Sequence, residues 1–335
     1  MILLPPILVG PQTYIVFIVL LALAIKTTAG YDLLPDSHET WDHRSSGLRK
    51  IVDDWIGNGA AKTTVQTTYG PIEEWDMSNV ANMDFLFFNK PTFNGDISKW
   101  NMSKVKTMHS MFKQAHLFNS DLSAWDVSKV YTLENTFQVA TVFNQDISKW
   151  RTGRVTSLDS TFYQAGAFNS DISKWNTSQV TTLSETFFNA HRFNSELLTW
   201  DVSKVITLYK TFQTALSFNQ SLAMWNTSQV TTMKSTFESA KNFGQDISRW
   251  DVSKVAILSY AFYNANVFNS DLSAWDVSKV SGMYMAFREA RLFNSDVSNW
   301  NTSKVTHLDH TFAEAAAFNS GKLYFMMFGI YRRHN

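Results

Sequence analysis

The chain has no cysteine, which excludes disulfide staples, thiolate catalysis, cysteine-ligated zinc and a lipidated cysteine anchor. It also has no excess of either charge. Lys and Arg number 29 against 29 Asp and Glu, and the signs are interspersed, so no basic footprint marks a nucleic-acid partner. Long uninterrupted apolar runs are missing as well. Residues 1–25 carry no charged side chain, but Pro5, Pro6 and Pro11 break the stretch and leave Tyr14 to Ile25 as its continuous core. Twelve apolar residues fit the hydrophobic region of a signal peptide better than a full membrane span. Thr27-Thr28-Ala29 before Gly30 is an acceptable small-residue cleavage site, although no Lys or Arg precedes the apolar core. Residues 1–29 are therefore read as a signal peptide or an uncleaved signal anchor. The expected location is extracellular or cell-surface through the secretory route, with membrane contact only through this segment if it is retained.

Catalytic spacing is the last absence. His109, His116, His191, His307 and His310 have no recurring carboxylate partner, and no nucleophile elbow, phosphate loop or zinc spacing occurs. The expectation is a protein that is not an enzyme, with no catalytic residues, no cofactor and no metal site.

What is present is a repeat. Trp recurs at Trp75, Trp100, Trp125 and every 25 residues to Trp300 without insertion or deletion, so ten of the 12 tryptophans are one structural position. Phe stands twelve residues after each of them (Phe87 to Phe312) and again eighteen after (Phe93 to Phe318), which accounts for 20 of the 26 phenylalanines. Val five after Trp (Val80 to Val305), Met or Leu eight after (Met83, Leu133, Leu208, Leu308) and Ala fifteen after complete the apolar set. Lys90 alone breaks the alanine column. A fixed period of this length means a solenoid, in which each unit buries its core only by stacking on its neighbours.

Within a unit, Val105, Met108, Phe112, Ala115 and Phe118 are three or four residues apart, which predicts a short helix or helical turn with Ser103 as its N-cap. The segment Asn119 to Trp125 reads as a turn followed by a short parallel strand. Coils stacked at strand spacing, about 4.8 Å, would make a rod about 48 Å long. Before the first repeat, Leu48, Ile51, Val52, Trp55 and Ile56 share one helical face and Gly57-Asn58-Gly59 supplies a stop, which predicts an N-terminal capping helix. Four regions follow: 1–29; 30–74, linker and capping helix; 75–320, the ten-repeat solenoid; and 321–335, an atypical tail too short to span a bilayer.

The unit, written as Phe143-Asn144-Gln145-Asp146-Ile147-Ser148-Lys149-Trp150 and Trp175-Asn176-Thr177-Ser178-Gln179-Val180-Thr181-Thr182-Leu183, resembles the BspA-like leucine-rich-repeat surface proteins, in particular their mycoplasma-type branch. The lead-in Val52-Asp53-Asp54-Trp55 with Thr68-Tyr69-Gly70-Pro71-Ile72 is similar to that family's, and the likeness runs over roughly residues 47 to 320. The resemblance implies an α/β repeat solenoid of leucine-rich-repeat type, each coil a short parallel strand plus a helical turn, in cell-surface or secreted proteins with adhesion roles. Two departures stand out. Thr136, Thr161 and Thr186 occupy the place of Met111, and the cysteine of lipid-anchored members is missing.

Most polar columns read as scaffold. Asn101, Asn176, Asn226 and Asn301 open Asn-x-Ser sequons, as does Asn219, and are candidate glycosylation sites. The first four alternate with Asp126, Asp201, Asp251 and Asp276 in one column, which points to an Asx-turn role. The acidic column Asp96, Asp121, Asp146, Asp171, Glu196, Asp246, Asp271 and Asp296 offers one carboxylate per coil, fewer than calcium needs. Variation is left to the positions nine, ten and thirteen after Trp, where Phe85, Phe88, Tyr163, Phe188, Tyr209, Tyr260, Tyr263 and Tyr284 are candidate partner-binding aromatics. The functional expectation is an interaction or adhesion protein that binds a protein or glycan through a solenoid face. A rod-like spacer is the alternative, and a polysaccharide-active enzyme a distant one.

Overall fold

The computed structural model describes residues 31, 32, 34 and 47–319. The segment read as signal peptide or anchor and the tail 321–335 lie outside the described residues. Among the described residues two helices precede the repeats, α1 (Gly47–Ile56) and α2 (Ala60–Tyr69), followed by a 3-10 turn at Ile72–Glu74. Leu48 and Val52 of α1 are fully buried, while Ile51, Trp55 and Ile56 pack more openly on the same core. The second helix has no counterpart in the apolar pattern. Only Val65 of α2 is buried, and Thr63, Thr64 and Thr67 turn their hydroxyls back onto carbonyls four residues earlier. Gly70 ends α2 at φ 77°, and the Tyr31 ring lies 2.6 Å from where a Cβ would stand. Glycine is required there on both counts.

From Trp75 onward every coil has the same path, and it is neither helix nor strand. The helical turn expected over Val105–Phe118 is replaced by consecutive tight turns. Met111 N–H donates to Met108 O, Lys113 to Ser110, Ala115 to Phe112 and Phe118 to Ala115, each three residues back. Two residues per coil, ten and fourteen after Trp, take left-handed φ of 51° to 62°, such as Ser110 and Gln114. A chain that turns every three or four residues returns apolar side chains inward with the same spacing as a helix, so the pattern alone does not separate the two. Alternate N–H groups leave the coil altogether. Phe85, Phe87 and Asn89 donate to His109, Met111 and Lys113 of the next coil, and this ladder repeats along the stack.

The strand is also displaced. Parallel pairing is confined to single bridges seven residues after Trp, from Asn82 with Thr107 to Gly282 with His307, and not over Asn119–Trp125. In that segment Asp121 takes the Ser123 N–H into an Asx turn and Trp125 N–H closes a turn onto Leu122 O, so these donors are spent locally. Ser103, expected as a helix cap, sits in a turn where its own N–H is held by Asn101.

The interior is built of aromatic columns. Phe87 and Phe93 stack face to face at 3.9 Å within a coil, and Phe87 stacks on Phe112 at 5.5 Å and Phe93 on Phe118 at 5.8 Å between coils. From Trp100 to Trp300 each repeat Trp indole N–H donates to the carbonyl 28 residues earlier, as Trp125 does to Ile97 O and Trp175 to Ile147 O. The same carbonyl accepts the backbone N–H of its own coil's Trp, so both lone pairs are used. Equivalent rings are related by the step from coil to coil, and their spacing measures that step locally. It is 5.1 to 5.9 Å along the Phe87–Phe312 column and 5.9 to 6.4 Å in the Trp stacks, against about 4.8 Å for a hydrogen-bonded ladder. The step thus differs from column to column, which means that successive coils are rotated as well as translated.

Candidate functional site

The polar columns can be assigned first, because they show which surface is scaffold. Asn94 Oδ1 accepts the N–H of Asn119, Asn119 that of Asn144 and Asn144 that of Asn169, an asparagine ladder from coil to coil. Asp and Asn one residue after Trp, and Asp twenty-one after, each hold the N–H of the Ser two residues on, as Asp126 holds Ser128 and Asp146 holds Ser148. In Asp96, Asp171 and Asp246 the Ser backbone N–H and then its hydroxyl keep the carboxyl below the usual carboxylate range. In Asp126, Asp201 and Asp251 the hydroxyl leads and the N–H follows. Among the described residues no group of three or more metal-binding side chains converges. The sequon residues Asn101, Asn176, Asn226 and Asn301 are exposed, with Oδ1 engaged by Ser N–H. Asn219 belongs to the asparagine ladder and accepts from Gly244 N–H and Gln245.

Thr136, Thr161 and Thr186, which depart from the family pattern, are buried. Their hydroxyls donate to Met108, Leu133 and Leu158 carbonyls of the preceding coil. Lys90, the break in the alanine column, pairs with Asp53 of α1 at 2.6 Å. The first coil has a helix instead of a coil behind it, and Lys90 is part of that junction. Trp75 adapts in the same way, donating to Gly70 O and meeting Trp55 edge-on at 6.3 Å.

What remains is the ladder face, formed by the residues nine to fourteen after each Trp. The structure places all eight candidate aromatics there, half-buried, in three groups. Phe85 and Phe88 meet edge-on at 5.9 Å, His109 lies against Phe85 at 5.0 Å, and the Arg49 guanidinium from α1 lies over both phenyl rings at 6.0 and 5.6 Å. In the middle group Tyr163 stacks on Phe188 at 4.5 Å, and Lys210 lies over Phe188 and Tyr209 at 5.3 and 4.9 Å while paired with Glu185 at 3.1 Å. Burial opposes the charge on Lys210, but hydrogen bonds to Tyr209 and Glu185 outweigh it and raise its pKa. Nearby Asp159 is raised, by burial first and then by the Glu185 charge, despite the hydrogen bond from the Ser160 hydroxyl. The third group is Tyr260, Tyr263 and Tyr284, with Tyr263 Oη donating to Glu289 at 3.3 Å. Spacing alone could not reveal this grouping, since it depends on which neighbouring coils carry rings. It also could not reveal the Arg49, Lys210 and Lys234 contacts that accompany the rings.

A family model described as "Mycoplasma protein of unknown function, DUF285" matches residues 59–171, 145–248 and 237–324. No curated protein matches the chain. Among solved structures the chain is similar to a plant peptide hormone receptor, RGFR1, in complex with RGF2, at 8% identity and TM-score 0.26, covering 62% of this chain and 40% of that one. It is also similar to a leucine-rich repeat protein from Eubacterium ventriosum, at 13% identity and TM-score 0.26, covering 54% and 41%. The chain thus spans less than half the length of either, and neither likeness is close enough to transfer a coil geometry or a ligand.

Proposed function

Since this chain belongs to the DUF285 family, whose model covers its repeats from residue 59 to 324, we propose that it is a non-enzymatic interaction protein that binds a protein or glycan partner through the ladder face. Exported to the cell surface or beyond, it would act as an adhesion module.

The observation that carries this reading is the choice of side chains at the left-handed positions. Two residues per coil, ten and fourteen after Trp, have positive φ, and none of the twenty is glycine. For the fold alone, Gly or Asn serves best there, and other side chains cost about 1 kcal/mol or more each. The chain instead places Phe85, Val139, Glu185, Lys210, Thr214, Tyr260 and Met285 at such positions, while Trp, Val and both Phe columns do not vary at all. Strain kept on one continuous face, and spent on side chains that differ from coil to coil, supports a recognition surface. Half-buried Tyr and Phe are also the side chains enriched at the cores of interfaces.

The test is a binding screen of the full-length protein against immobilised proteins and glycans. Saturable binding that weakens at least tenfold in a Tyr163→Ala, Phe188→Ala double variant supports the reading. Absence of any saturable partner overturns it in favour of a spacer rod.

A further inference from the structure

The first and third aromatic groups occupy the same register. Phe85, Phe88 and His109 stand ten, thirteen and thirty-four residues after Trp75, and Tyr260, Tyr263 and Tyr284 stand at the same distances after Trp250. Their geometry matches too. Phe85 and Phe88 are 5.9 Å apart at 85°, Tyr260 and Tyr263 6.0 Å at 88°. Phe85 and His109 are 5.0 Å apart at 72°, Tyr260 and Tyr284 5.3 Å at 73°. Over the phenyl rings of the first group lies the Arg49 guanidinium, supplied by α1. Among the described residues no Lys or Arg lies over the tyrosine rings of the third.

From this internal copy we infer that the Tyr260–Tyr263–Tyr284 triad is a seat for an arginine side chain of a partner polypeptide. The inference deepens the interaction reading above and rests on it. Where α1 stands behind the first group, the preceding coil stands behind the third, and there it carries the small Ser235 and the half-buried Glu238. Burial first raises the Tyr260 and Tyr263 phenols, and the Glu238 charge adds to both, while the Glu289 carboxylate adds to Tyr263 and accepts its phenol hydrogen at 3.3 Å. Two carboxylates beside electron-rich ring faces favour a planar cation, which stacks on a ring while its N–H fork reaches a carboxylate. Arg288, the like charge felt at Tyr263, is drawn off by Glu314 at 2.8 Å and Glu289 at 3.6 Å. His310 borders Tyr284 edge-on at 6.4 Å.

The probe is an unstructured peptide of alternating arginine and glycine, titrated onto the full-length protein, against the same peptide with citrulline for arginine. Citrulline keeps the shape and loses the charge. We expect the citrulline peptide to bind about tenfold more weakly, Tyr260→Ala to weaken the arginine peptide by about the same factor, and Glu238→Gln to do so by a few-fold. Because Tyr260→Ala removes a half-buried ring, Glu238→Gln with an unchanged melting temperature keeps the test independent of folding. Met224→Ala, at an exposed position outside the ladder face, should leave the peptide's affinity unchanged. Equal affinity for the two peptides, or indifference to both Tyr260→Ala and Glu238→Gln, overturns the seat. If that happens while the partner screen still gives saturable binding, the interaction reading stands and only the arginine seat falls.

Discussion

At the scale of single residues, the fold is set by groups that satisfy one backbone atom each. The Thr136 hydroxyl is buried and reaches the Met108 carbonyl at 3.0 Å. Thr136→Val keeps the shape and removes the donor, so it should cost about 1 kcal/mol, read as a lower midpoint in urea unfolding. Val139 is a β-branched residue at φ 60°, which no local interaction favours. Val139→Asn should therefore raise stability by about 1 kcal/mol, and an unchanged or lower midpoint would contradict the strain argument. Titration has a definite sign. The carboxyls of Asp96, Asp126, Asp146, Asp171, Asp201, Asp246, Asp251, Asp271 and Asp276 lie below the usual carboxylate range when folded. Their contribution is present above the unfolded value and is lost as pH falls through the folded ones. Asp159 is raised and works the other way, since its charged form costs the fold and that cost disappears as pH falls through its raised value. With nine against one, melting temperature should hold from about pH 6 to about pH 4 and fall steadily at lower pH. The Asx role of the Asp and Asn columns was legible in the sequence because Ser follows two residues later. The Thr ladder was visible only as a departure, since its acceptor lies 28 residues away.

At the scale of the element, the coil and the cap follow different rules. The cap depends on close approach. Gly70→Ala would hold an L residue at φ 77° and drive its Cβ into the Tyr31 ring, so it should destabilise the α2 junction by about 2 kcal/mol. Hydrogen exchange localised to residues 60–75 would show this. Within the coil, the spacing of Val105, Met108, Phe112, Ala115 and Phe118 identified which side chains point inward but not the backbone that carries them. A helix and a train of turns share that spacing. The choice between them is made by the neighbouring coil, which accepts every second N–H and so denies it to an i to i−4 partner. The second helix went unread for the opposite reason: one buried residue, Val65, leaves no apolar stripe to detect.

At the scale of the molecule, stability is a sum over coils and the contacts between them. Deleting one whole unit, Asn176 to Trp200, keeps every column in register and should leave a cooperative fold with a slightly lower melting temperature. Deleting only Asn176 to Phe187 puts the Trp and Phe columns out of step and should abolish cooperative unfolding. Circular dichroism of either parent or deletion should show little helix, because among the described residues helices are confined to α1, α2 and the 3-10 turn. The period, the inward-facing aromatic columns and the turn-forming Asp, Asn and Ser were determined by the amino-acid sequence alone, because each is a periodic choice of side chain that recurs at constant spacing. Only the tertiary structure decided that the coils are trains of turns joined by single bridges. It also decided that Lys90 belongs to the cap, that the eight aromatics form three groups, and that Arg49 and Lys210 lie over two of them. Those outcomes depend largely on contacts with a neighbouring coil or the cap, which the local chain does not specify.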